Sequence, residues 1–103
     1  MAKIGLYTLH DSKALTYNVP FPAGNHALAN RMVQDLAADM NTSVGRHPGD
    51  YRLYFLGLYD DTNAKFEALD ILEHVNDVIA LTPAHQMPFN FAKKGNGSAE
   101  ERN

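Results

Sequence analysis

At 103 residues and 11.4 kDa the chain has room for one hydrophobic core, since domains cluster near about 100 to 150 residues. Hydrophobic residues make up 45% and charged residues 20%, an ordinary globular balance that excludes a wholly disordered chain. Cysteine is absent and the net charge is −3, which removes disulfides, thiolate chemistry and cysteine metal sites and argues against nonspecific coating of nucleic acid. No apolar run approaches the roughly 18 to 20 residues of a membrane span, and the N-terminus shows no secretory leader. The expected location is therefore the cytoplasm where the chain is made. The charge is uneven: residues 85–103 carry Lys93, Lys94 and Arg102 against Glu100 and Glu101 and are +1, while residues 1–84 are −4.

In chain order, Lys3 to Leu9 is rich in strand formers, with Ile4 and Leu6 on one face and Tyr7 and Leu9 elsewhere. After a turn at His10-Asp11-Ser12, the alternation from Leu15 to Val19 suits a second strand paired as a hairpin and stopped by Pro20 and Pro22. Asn25 is the natural N-cap of the one long helical pattern. Leu28, Met32, Leu36 and Met40 recur at spacings of four, so this stripe, with Ala29, Val33 and Ala37 beside it, is expected to form the core face. Residues 41–50 are nearly all turn formers and read as a loop.

Tyr51 to Tyr59 is apolar on both alternating faces, as expected of a central strand or one touching a partner. Tyr51, Leu53 and Phe55 should share one face, and Tyr54, Leu56 and Leu58 the other. Gly57 would let another backbone or a bulky side chain approach. Asp60 to Asn63 reads as a turn with Asn63 at positive φ, and Lys65 to Leu69 as the returning strand. Residues 70–81 fit a helix and a strand equally well. Together these elements predict an α+β domain over residues 1–84, a small antiparallel sheet of four or five strands with one main helix, in the order β-β-α-β-β plus a short C-terminal element. Residues 85–103 read as a largely mobile polar tail.

The residues point to few chemistries. The five histidines, His10, His26, His47, His74 and His85, lack ligand spacing, so no metal site and no cofactor is expected. No nucleophile elbow or phosphate loop occurs and Asp60-Asp61 sits at a turn, so no catalytic residues are assigned and the chain is read as nonenzymatic. Aromatic faces interleaved with cations, the requirement for binding single-stranded nucleic acid, are present at Arg46, His47, Arg52, Tyr54, Lys93 and Lys94. A solvated loop and a packed tyrosine ladder would account for the same residues.

His47-Pro48-Gly49-Asp50-Tyr51, followed by Leu53-Tyr54, Gly57 and Tyr59-Asp60-Asp61, resembles the signature of the small nonstructural protein of gokushovirus-type microviruses. Asp11-Ser12-Lys13-Ala14, Pro20-Phe21 and an amphipathic helix follow the same order upstream. The resemblance implies an accessory protein of a single-stranded DNA phage, acting in genome replication within the host bacterium's cytoplasm and described for the family as DNA-binding. It brings no established site residues. The resulting expectation is weak binding of single-stranded DNA through Lys13, Arg31, Arg46, His47, Arg52, Tyr54, Lys93 and Lys94. The alternative is an adaptor that engages phage or host replication proteins. A strand apolar on both faces leaves one sheet face short of cover, so a homodimer joined through Tyr54, Leu56 and Leu58 is also expected.

Overall fold

A computed structural model describes residues 3–82. β1 (Lys3–Asp11), β2 (Thr16–Tyr17), β3 (Phe21–Ala23), α1 (His26–Ala37), α2 (Ser43–Arg46), β4 (Tyr51–Asp60) and β5 (Lys65–Asp77) follow in order, with 3₁₀ turns at Pro48–Asp50 and Val78–Leu81. All pairings are antiparallel, in the order β2-β1-β4-β5, and β3 takes the same outer edge of β1 that β2 uses further along. This is the expected small antiparallel sheet with one main helix, α+β in class, with one strand more before the helix than the sequence suggested.

The two hairpin turns are built alike. In each, an aspartate carbonyl accepts the N–H four residues on, from Leu15 to Asp11 at 2.8 Å and from Ala64 to Asp60 at 2.9 Å. The aspartate side chains hold the intervening amides: Asp11 Oδ1 accepts from Lys13 and Ala14, and Asp60 Oδ1 from Thr62. The closing residue is left-handed in both, Leu15 at φ 59° and Ala64 at φ 63°. Asn63, expected to take that conformation, instead accepts the Lys65 N–H through its side chain at 3.0 Å.

Asn25 caps α1 as predicted, its Oδ1 accepting the Leu28 N–H at 2.8 Å. Of the expected core face, the Ala29–Val33–Ala37 stripe and the part-buried Leu36 face the core, but Leu28, Met32 and Met40 do not. Ala29, Val33 and Ala37 are buried, whereas Leu28 and Met32 stay 48% and 45% exposed, and Met40 lies beyond the helix end. The cause is the bulk on the sheet beneath. Tyr7 packs its ring against Phe21 and Phe55, with centroids 6.0 and 5.1 Å apart, so only a small-residue stripe can approach closely. Leu9, Tyr51, Leu53, Val44, Val78 and Leu81 complete this core. The loop expected over 41–50 contains α2, capped by the Thr42 hydroxyl on the Gly45 N–H at 3.0 Å, and the turn at Pro48. Asp50 holds that turn to β1 through its main-chain carbonyl, which accepts the Ser12 N–H at 2.9 Å.

Two further expectations are corrected and one open reading is resolved. The second strand contracts to Thr16–Tyr17, because the Asp11 turn consumes Leu15. Pro22 does not end the sheet but lies in β3 opposite Leu6, an edge strand where its missing N–H is tolerated. The segment of equal odds resolves as strand to Asp77, since β4 offers it a free edge, followed by the 3₁₀ turn.

Beyond the core, β4 and β5 continue as an arm, with Lys3 to Leu6 of β1 paired to Asp60 to Gly57 along it. Gly57, at φ 150°, is where they come closest: a Cβ there would overlap the Glu67 carbonyl and meet the Ala68 Cα. This is the close backbone approach expected of that glycine. The pairing shifts at Leu56, an extra residue of β4 between its Phe55–Tyr7 and Gly57–Leu6 pairs with β1, and on the other side β5 sets the four residues Leu69 to Leu72 against it. A bulge resets the alternation of faces. Tyr54 therefore pairs Thr8 while Leu58 pairs Gly5, on opposite faces of the sheet, and the expected common face of Tyr54, Leu56 and Leu58 does not form. Phe66 and Ile71 on the arm are exposed, Ile71 by 84%.

Candidate nucleic-acid interface

With α1 covering the face of Tyr7 and Leu9, the opposite face of the sheet has no helix over it among the described residues. The register brings four rings into one row across four strands on this face. His10 of β1 faces Tyr17 of β2 directly, and Tyr54 of β4 faces His74 of β5. Ring centroids are 4.6 Å apart for His10 and Tyr17, 6.2 Å for Tyr17 and Tyr54, 6.5 Å for His10 and Tyr54, and 5.6 Å for Tyr54 and His74. The contacts are tilted or edge-to-face, the favoured geometry for aromatic neighbours. Tyr17 and His74 are exposed, and His10 and Tyr54 half-buried.

Arg52 lies beside the row, opposite His10. Its Nε is 3.5 Å from Asp77 Oδ1, an oxygen that also accepts from His74 Nε2 at 2.8 Å. One carboxylate thus orients a guanidinium and an imidazole on the same face. Both pairs are near half-exposed, so their contribution to stability is small.

The predicted cations divide between the two sides. Lys13 and Arg52 lie next in sequence to the Ser12–Asp50 pair that ties the end of β1 to the start of β4, and Arg46 and His47 lie in and just after α2, ahead of the Pro48 turn. Arg46 is itself held by its guanidinium donating to the Met40 carbonyl at 3.1 Å. Arg31 is exposed on α1, in the layer on the far side of the sheet from Tyr54, and does not join this group. Lys93 and Lys94 lie outside the described residues. His10, Tyr17 and His74 escaped sequence reasoning, because their partnership depends on strand register between segments up to 64 residues apart.

A second polar chain runs through the helix-covered side. Tyr7 is buried, and its hydroxyl meets His26 Nδ1 at 2.7 Å, while His26 Nε2 meets Glu73 Oε2 at 2.9 Å. With a neutral imidazole, Tyr7 donates to Nδ1 and Nε2–H donates to Glu73, so the three groups tie β1, the start of α1 and β5 together. Burial of the phenol, then the nearby Glu73 carboxylate, raises the Tyr7 pKa. The Asp11 carboxyl is held below its ordinary value, first by the Ala14 N–H. No group of three or more His, Asp or Glu among the described residues is arranged to hold a metal ion, and no described helix is long and apolar enough to cross a membrane.

The fold defines a small α+β protein with a ring-lined sheet face, and comparison supplies its lineage. The family model described as Phage ORF5 protein matches residues 4–81, so the chain belongs to that phage protein family. No curated protein and no solved structure matches it.

Proposed function

We propose that this chain is a nonenzymatic accessory protein of a gokushovirus-type microvirus, acting in genome replication in the host cytoplasm and binding single-stranded DNA across the open face of its sheet. The observation that carries this reading is the Tyr17–His10–Tyr54–His74 row with Arg52 at its side. Splayed bases stack on such rings in a sequence-tolerant way, and duplex DNA offers no free base faces to them. The acidic body limits affinity, so binding is micromolar and depends on the few cations at the Lys13–Arg52 end.

The test is a fluorescence anisotropy titration with labelled oligothymidylate and with duplex at several salt concentrations. About three phosphates neutralised by this cation group give a slope of roughly −2 in log affinity against log salt, from about −0.7 per phosphate on a single strand. Tyr54→Ala weakens binding by about 5- to 150-fold, the equivalent of one lost stacking contact, and Arg52→Ala and Arg46→Ala weaken it without unfolding the chain. No detectable binding at low salt, or variants that bind like the parent, overturns the DNA reading.

The arm favours a second reading, self-association or an adaptor role. Phe66, Leu69 and Ile71 are exposed on one strand of the arm, and Leu56 and Leu58 half-buried on the other. The unpaired outer edge of β5, with these exposed apolar side chains along it, invites a partner. A homodimer is expected at micromolar concentration, and Leu56→Asp or Leu58→Asp shifts it to monomer. A monomeric sedimentation profile for the parent at all concentrations removes the dimer.

A further inference from the structure

At the C-terminal end of α1 the surface opens into a shallow apolar concavity of about 300 Å³, lined by Ala37, Ala38, Met40, Gly45, Pro48, Ile79 and Thr82. Its floor is made of small residues for a packing reason. α2 runs so close beneath the helix end that a Cβ on Gly45 would overlap the Asp39 carbonyl. Met40 and Ile79 at its rim are exposed by 64% and 45%. A hollow with a backbone floor and an apolar rim suits one or two large apolar side chains.

We propose that the occupant is this chain's own segment 84–91, with Met87, Phe89 and Phe91 as the groups that enter. The described chain ends at the rim itself, because Thr82 is one of the lining residues. Thr82 is anchored to Ile79, its hydroxyl donating to the Ile79 carbonyl at 2.9 Å, and its backbone is extended at ψ 149°. Thr82 precedes Pro83 in the sequence, and a residue before proline is disfavoured in helical geometry, in keeping with that extension. Phe89 is seven residues further on, a reach of up to about 23 Å, so the hollow lies well within range. Spacing of two along 87, 89 and 91 puts the three side chains on one side of an extended segment. A segment tethered at the rim competes at an effective concentration in the millimolar range, well above a second copy at micromolar concentration.

The four methionines, Met1, Met32, Met40 and Met87, allow a direct test by methyl NMR of methionine-labelled protein. Truncation after Ala84 is expected to shift the Met40 methyl resonance and leave Met32, which is outside the concavity, in place. In the full chain a Met40 contact to residues 87–91 should appear as nuclear Overhauser effects independent of concentration. Ala38→Asp, at an exposed rim position, should speed chymotryptic cleavage at Phe89 and Phe91 by about tenfold or more by releasing the segment. An unmoved Met40 resonance after truncation, or Met40 shifts that track protein concentration in both forms, overturns the proposal; the second result assigns the hollow to another copy. These readouts involve no DNA, so they stand or fall separately from the DNA titration.

Discussion

Gly57→Ala perturbs the point on which the arm depends. The added Cβ overlaps the Glu67 carbonyl and meets the Ala68 Cα, and the residue must hold φ near 150°. The backbone conformation alone costs an L-residue about 1–3 kcal/mol. Relieving the overlap means separating β4 from β5 around the Gly57–Ala68 pair, which forfeits two or so ladder hydrogen bonds at about 0.5–1.5 kcal/mol each. The sum, about 2–6 kcal/mol, is comparable with the whole stability of a small domain. The damage should nevertheless stay local. The core of Tyr7, Leu53, Val33 and Val78 lies on the near side of the bulge, and residues 61–71 are all exposed. Hydrogen exchange should therefore show loss of protection at residues 57–60 and 65–68, while the amides of Tyr7, Leu9 and Leu53 keep theirs. Gly49→Ala is the control: a Cβ there meets nothing within 4 Å, and the change should be neutral or slightly stabilising. Unchanged protection of the arm in Gly57→Ala would refute the reasoning.

Three further outcomes are expected. Ala64→Gly, which relieves a left-handed backbone at φ 63°, should stabilise the chain by about 0.5–1 kcal/mol in urea denaturation; a loss of stability would show that the turn does not strain alanine. Tyr7→Phe leaves His26 Nδ1 without its donor at a part-buried site and should cost about 1 kcal/mol. Because the folded pKa of Tyr7 is raised above its ordinary 10.0, its contribution is complete below that pH and is lost as pH rises through the folded value, so the parent should lose stability in alkali faster than the phenylalanine variant. Asp11 has the opposite sign. Its lowered pKa gives stability that is present above the ordinary carboxylate range and lost as pH falls through the folded value, and Asp11→Asn should flatten the acid limb of the stability profile; an unchanged acid limb would mean that the Asx turn does not depend on the charge.

The open-face row and the arm follow from different kinds of information, and so do the other features. Local signals were sufficient wherever a neighbour in sequence decides the conformation. Asn25 caps α1 because its side chain reaches an amide three residues away, and Asp11 and Asp60 make turns because their carboxylates reach amides two or three residues on. The alternation at Tyr51 to Phe55 likewise announced a central strand, and Gly57 a close backbone approach. The helix periodicity announced α1 but not its orientation. Both the Leu28–Met32–Leu36 stripe and the Ala29–Val33–Ala37 stripe satisfy a period of 3.6, and the bulk of Tyr7, Phe21 and Phe55 beneath decided between them.

Register is the other property that only the tertiary structure decides. A side-chain alternation says which residues share a face only while the strand is regular. The bulge at Leu56 set Leu58 opposite to Tyr54, an outcome that depends on how Leu69 to Leu72 accommodate on the neighbouring strand. Register also brought His10, Tyr17, Tyr54 and His74 together from four strands, and Tyr7, His26 and Glu73 from three elements. Composition and spacing determined the fold class and the residue types available for binding. Which of those side chains became neighbours was decided by strand pairing across long sequence separations, for which no local period carries a signal.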